Sequence, residues 1–266
     1  MFISCPVCWS YPHSPCFHHG WKPKVCKEAE SERRRRPQSW LSGLMSLLCY
    51  CYELGIKYVT IYAFSIENFK RRPDEVQSLM DLMLEKMEAL LMEESIVSQY
   101  GIRVCFIGNL RLLSEPVRAA AEKVTKVTSN NSKAMLLVCV AYTASNEIVH
   151  AVEGSCKSNW DQVLTSKASK SGEVSEGFRN LRQEVPVIKL VDIEKHMYMA
   201  VAPDPDMLIR SFGESRLSNF LLWQTSNCQL YSPAALWPEI GLSQLVWAIL
   251  KFQQSHSYLE KKMKQL

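Results

Sequence analysis

The sequence contains no uninterrupted apolar run near the ~18–20 residues that a membrane-spanning helix requires. Its longest apolar stretches, such as Met135–Tyr142, have the length of a buried strand. It shows no apolar signal region followed by a cleavage site, so nothing in it speaks for secretion. The ten cysteines therefore read as thiols of a reducing compartment. The later six (Cys49, Cys51, Cys105, Cys139, Cys156, Cys228) mostly stand in apolar surroundings, where free cysteine packs as a small hydrophobe. Charge is missing as well. Residues 1–38 hold seven Lys/Arg against three Glu, which accounts for the whole formal charge of +4 and leaves the remainder neutral. A nucleic-acid binder carries its basic excess across a folded face, so that class is disfavoured.

What is present suits a globular α/β chain. Its 266 residues are 47% hydrophobic and 22% charged, enough for a packed core. Residues 1–38 differ from the rest: they hold five of the twelve prolines, three of the six histidines and the run Arg33–Arg36, without periodicity. They read as an irregular or disordered segment. Cys5, Cys8, His13, Cys16, His18, His19 and Cys26 could ligate zinc, but their irregular spacing favours the plainer reading. The arginine run could touch anionic lipid; a solvated charge run is the simpler account.

From Trp40 onward the pattern becomes regular. Leu41, Leu44, Leu47, Leu48 and Tyr52 recur at helical spacing up to Gly55. Lys57–Phe64 reads as a buried strand, and Pro73 with Asp74 and Glu75 opens a long helix. Its stripe is Val76, Leu79, Met80, Met83, Met87, Leu90 and Leu91. Further elements are expected at strand 102–107, helix 115–127, strand 135–140, helix 146–152, helix 192–199, strand 207–209 and helix 243–257, with 154–184 a polar surface excursion. Strands alternating with helices imply right-handed crossovers and a mostly parallel sheet.

Ligands of such sheets bind beyond the carboxyl ends of the strands. Two of those ends are rich in polar residues: Ser65–Arg72 after one strand and Arg210–Asn219 after another. Arg210, Arg216 and the Ser218 hydroxyl would make an anion clamp, because the guanidinium fork suits phosphate, and Gly213 would let the backbone approach the ligand. The competing account pairs these arginines with Glu214, Asp206 and Glu67 in surface networks.

The segments YVTIYAFSIENFKR (Tyr58–Arg71), PDPDMLIRSFGESRLSNFLLWQ (Pro203–Gln224) and LWPE (Leu236–Glu239) carry a specific likeness. From about Leu41 to its end the sequence resembles the cis-prenyltransferases, the family of undecaprenyl and dehydrodolichyl diphosphate synthases. The resemblance implies an α/β fold, a mostly parallel sheet flanked by helices, and condensation of isopentenyl diphosphate onto an allylic diphosphate such as farnesyl diphosphate. It implies dolichol or polyprenol products, magnesium as cofactor, and a site peripheral to the endoplasmic reticulum membrane or in the cytoplasm. By motif match Arg210, Arg216 and Ser218 would hold isopentenyl diphosphate. Ser65, Asn68 and Arg71 would lie beside the reacting centres, Glu214 would order the pocket, and Phe69 would form an apolar wall. The methionine- and leucine-rich stripe after Pro73 would line the product tunnel.

The family's opening strand, its Asp-Gly-Asn motif and a following Gly-His-x-x-Gly element have no counterpart here, and residues 1–38 contain no Asp. The expectation is therefore an N-terminally truncated domain over 39–266, without the family's first strand, with exposed sheet edges and little activity alone. The chain has Gln229 where self-sufficient bacterial members carry Glu, and it ends without their Arg-x-Gly tail. A homodimer or, more specifically, a heteromer with a related subunit is implied. The alternative is a non-catalytic partner subunit or pseudoenzyme.

Overall fold

Six parallel strands make one sheet in the order β3-β4-β2-β1-β5-β6 in a computed structural model of the chain. The structure describes residues 2–6, 43–92, 95–168, 187–211, 213, 216–235 and 240–263. The strands are β1 (Phe2–Pro6), β2 (Tyr58–Ser65), β3 (Ile102–Ile107), β4 (Ala134–Tyr142), β5 (Met207–Arg210) and β6 (Gln229–Tyr231). Two compact units are present: Met1–Thr143 with Asp204–Leu266, and Ala144–Pro203.

The first unit contains the sheet. Its helix α1 (residues 43–53) stops at Gly55, as the spacing predicts, and the hydrogen bonds show why. The Gly55 amide donates to the Tyr52 carbonyl (3.0 Å) and the Ile56 amide to the Cys51 carbonyl (2.9 Å). This double closure needs a left-handed residue at the turn, and Gly55 has φ +75°. Helix α2 (Pro73–Leu90) starts at proline with Asp74 and Glu75 in its first turn. Helix α4 (Glu115–Val127) buries Val117, Ala121 and Val124, and α7 (Leu242–Met263) closes the unit. Thr128, at the end of α4, receives the Val104 amide on its hydroxyl (3.0 Å) and so ties the helix to β3. Gly108 ends β3 so near β4 that a Cβ there would stand 2.2 Å from the Val140 carbonyl oxygen.

Strands β2 and β4 are buried on both faces, as central parallel strands are. Val59, Ile61, Leu136, Val138, Met207 and Ile209 belong to one core cluster with residues of α1, α2 and α4. Alternation sends Leu208 and Arg210 to the face opposite Met207 and Ile209. The β2–β4 register runs Tyr62 with Cys139, Phe64 with Val140, then Ser65 with Tyr142. Ala63 is thus an extra residue on β2 and Ala141, with φ +47°, an extra residue on β4. The two bulges cancel, and the pairing returns to its original offset.

The strand β1 corrects the expectation of an open slot with exposed edges. Phe2 pairs with Thr60 on one side and with Leu208 on the other, so β1 fills the space between β2 and β5. Five residues are too few for periodicity to register, and a slot flanked by two unpaired strand edges accepts almost any backbone that can donate and accept. The rest of the irregular or disordered reading of 1–38, together with the zinc and arginine-run candidates beyond Pro6, lies outside the described residues.

In the second unit α5 spans Ala144–Ala168, far past the expected end at 152, so half of the supposed surface excursion is helix. Its buried residues at i, i+3, i+7 and i+11 (Ala144, Glu147, Ala151, Ser155) keep helical period, but two of them are polar and hid the stripe. Glu147 is 0% exposed and accepts the Met199 amide at 2.8 Å. The expected helix 192–199 is instead α6 (Leu190–Glu194) followed by a 3-10 turn (Tyr198–Val201). His196 interrupts it: its ring Nδ1 donates to the Asp192 carbonyl (2.8 Å) and its Nε2 meets the Ser158 hydroxyl (2.9 Å). A short α3 (Ile96–Gln99) precedes β3. No helix among the described residues is long and apolar enough to cross a membrane. The six described cysteines are free, and burial pushes the Cys51 thiol up to about 12.

Candidate functional site

The carboxyl ends of β2 and β5 both carry the polar residues that the sequence singles out. They are separated only by β1, a distance of about 10 Å between strand axes. At the end of β2, Ser65 caps a 3-10 turn, Ile66–Lys70, by accepting the Glu67 amide on its hydroxyl (3.2 Å). Within that turn Asn68 is buried and Phe69 stands edge-to-face on Phe64, with ring centres 4.9 Å apart. The Arg71 amide donates to the Asn68 carbonyl at 3.1 Å and ends the turn. Lys70 pairs with Glu67, and Arg72 with Asp74 and Glu75. The Lys70 and Arg72 charges are thus met at the surface, and Glu67 is taken by Lys70. Among the described residues Arg71 forms no such pair.

At the end of β5, Arg210 is 7% exposed, and its Nη2 donates to the Ser218 hydroxyl at 3.2 Å. Its backbone carbonyl receives the Ser232 hydroxyl, 3.1 Å away, from the residue after β6. The structure thus brings Arg210 and Ser218 together as the spacing predicts, and leaves Arg216 exposed on the same turn. Gly213 has φ +65°, and its amide donates to the Pro233 carbonyl (2.9 Å). Among the described residues no atom stands within 4 Å of the place a Cβ would take, and the positive φ is itself a conformation that favours glycine. Glu214 lies outside the described residues.

A feature without any sequence signal sits beneath this turn. Ser218, Asn219 and Leu221 all have positive φ (47°, 57° and 46°), with no glycine among them to announce it. Phe220 between them is wholly buried against Tyr62 and Tyr142.

On the opposite face of the sheet an apolar cavity opens between α1, α2 and strands β2–β4. Its space open to a water-sized molecule is about 100 Å³, within a wider apolar hollow that opens to solvent. The α2 stripe supplies Leu79, Met83, Met87 and Leu90, as expected for a tunnel wall, and adds Leu82 and Lys86. Met80 instead packs in the core. Phe64 and Ala63 reach this cavity together because the β2 bulge puts two successive residues on one side.

Magnesium wants several hard oxygen ligands, carboxylates above all. Among the described residues no three His, Cys, Asp or Glu side chains converge on a point. Gln229 opens β6 opposite Met207, at the amino end of that strand pair, with its Oε1 buried and without a hydrogen bond.

The sequence profile of the prenyltransferase family described as undecaprenyl diphosphate synthase matches residues 28–259, starting inside the segment read as foreign to it. Dehydrodolichyl diphosphate synthase 6 of Arabidopsis thaliana is 63% identical over 227 residues, 85% of this chain and 77% of that protein. The human dehydrodolichyl diphosphate synthase complex subunit DHDDS is 37% identical over 240 residues, 90% of this chain and 66% of that one. The crystal structure of lavandulyl diphosphate synthase from Lavandula x intermedia, in complex with dimethylallyl diphosphate, has the same fold. It superposes with a TM-score of 0.64 at 24% identity, covering 85% of this chain and 89% of that one. With its parallel sheet, its strand-end arginine and its apolar cavity, this chain belongs to the undecaprenyl diphosphate synthase family of prenyltransferases.

Proposed function

We propose that the chain is a cis-prenyltransferase of the dehydrodolichyl diphosphate synthase type, with Arg210, Arg216 and Ser218 holding isopentenyl diphosphate. The observation that carries this reading is the buried Arg210 guanidinium, hydrogen-bonded to Ser218 at the carboxyl end of a parallel strand. A buried cation so placed is matched by a dianionic ligand far better than by solvent. In the reaction the allylic C–O bond breaks and its electron pair leaves with the diphosphate. The isopentenyl double bond supplies the pair for the new C–C bond, and a proton then leaves to give the cis alkene. The chain's own part is to fix the isopentenyl end, align two carbons and keep water from the cation. Ser65, Asn68 and Arg71 stand beside the reacting carbons, Phe69 closes the apolar side of the pocket that Glu214 would help to order, and the cavity against α2 takes the growing chain.

In this reading the chain binds isopentenyl diphosphate and turns over slowly alone. It would gain rate from a related subunit, since the human relative is named as part of a complex. A dolichol-type product would suit a peripheral site at the endoplasmic reticulum membrane. Titration calorimetry with isopentenyl diphosphate, beside an assay with labelled isopentenyl and farnesyl diphosphates, tests the reading. Micromolar binding that Arg210→Met weakens about a hundredfold is expected. Binding indifferent to Arg210 would sink the site, and robust turnover by the chain alone would remove the need for a partner.

A further inference from the structure

Left-handed backbone is strained for residues with a Cβ, which crowds the neighbouring carbonyl; asparagine tolerates it and leucine does not. Ser218, Asn219 and Leu221 adopt it within four positions, at φ 47°, 57° and 46°. Local sequence does not choose this turn, so packing must impose it.

The fourth residue of the group supplies the packing. Phe220 is 0% exposed and lies flat on Tyr62, with ring centres 4.4 Å apart and planes 13° from parallel. It meets Tyr142 edge-on at 5.7 Å and 79°. The two tyrosines face each other at 6.1 Å and 89°, and the Tyr62 hydroxyl donates to the Tyr142 carbonyl at 2.9 Å. They come from β2 and β4, which are paired along seven positions. The socket is therefore part of the rigid sheet, and the ring that enters it belongs to the strained turn. Two residues earlier on that turn, the Ser218 hydroxyl receives Arg210 at 3.2 Å.

We propose that Phe220 is a positioning residue. Its seat between Tyr62 and Tyr142 holds the 218–221 turn in its left-handed form, and through that turn sets Ser218 on Arg210 in the geometry that grips a diphosphate. The inference rests on the clamp read under Proposed function. A residue that only filled the core would change stability and leave the clamp intact wherever the protein still folds. A positioning residue changes affinity, and does so through Ser218.

A double-mutant cycle separates these outcomes. Isopentenyl diphosphate is titrated calorimetrically into the full chain carrying Phe220→Leu, Ser218→Ala, or both. Phe220→Leu is expected to raise Kd about tenfold and Ser218→Ala by a similar factor. The double variant should fall well short of their product, because a turn without its hydroxyl has less left to place. Tyr62→Leu, which removes the flat face of the socket while Phe220 remains, should weaken binding about fivefold and serves if Phe220→Leu does not fold. A Kd within twofold of wild type in the Phe220 and Tyr62 variants, or fully multiplicative effects in the double, overturns the inference while the clamp stands. No binding by the unmutated chain overturns the clamp and the inference together.

Discussion

After β2 the chain turns through Ser65–Arg72 in ordinary geometry. A serine caps a 3-10 turn, Phe69 packs on Phe64, and Lys70 and Arg72 are paired with carboxylates at the surface. After β5, residues 218–221 turn in strained geometry. Ser218, Asn219 and Leu221 have positive φ, a buried arginine ends the strand, and an aromatic ring is driven into the sheet. Both ends are rich in polar residues, and by composition they look alike. The difference shows that composition marks where a ligand can sit, whereas strain held by packing marks where the chain has been shaped around one.

The widest gap between the two turns should appear at their arginines. Arg210→Lys keeps the charge but loses the planar fork that holds Ser218 and spans a diphosphate, so affinity for isopentenyl diphosphate should fall at least tenfold by calorimetry. Arg72→Lys, in its exposed pair with Glu75, should stay within twofold. Equal effects would erase the distinction between the two ends. A smaller contrast lies in their serines. Ser65→Ala removes a cap and should lower stability by about 1 kcal/mol in denaturant titration. Ser218→Gly relieves a left-handed backbone and should be neutral or stabilising by about 0.5 kcal/mol, while binding weakens. Stability moving one way and affinity the other would be the signature of a turn strained for function. Least affected is the Lys70–Glu67 pair: Glu67→Gln should shift stability by less than about 0.5 kcal/mol, because both groups are well exposed.

Much of this was legible beforehand. The stretch Tyr58–Ser65 declared itself by β-branched and aromatic residues, α2 by its proline start and apolar stripe, and the Arg210–Ser218 pair by its place after a strand. What escaped has a common cause. The short β1 takes its structure from neighbours rather than from its own residues. Helix α5 turns polar side chains inward at Glu147 and Ser155, so its buried face carries no apolar pattern. The turn at 218–221 uses serine, asparagine and leucine where a glycine would have flagged it. In each case tertiary contacts overrule local preference, and a single sequence records the preference only.

The paired bulges at Ala63 and Ala141 impose one more condition on how this protein can vary. Each alone would slide everything beyond it by one residue and turn Ser65, Asn68 and Tyr142 to the wrong side. Together they restore the frame. Loss of either alanine should therefore be tolerated only when the other is lost as well, like two frameshifts that rescue one another. The lengths of two strands more than seventy residues apart are then inherited as a single character.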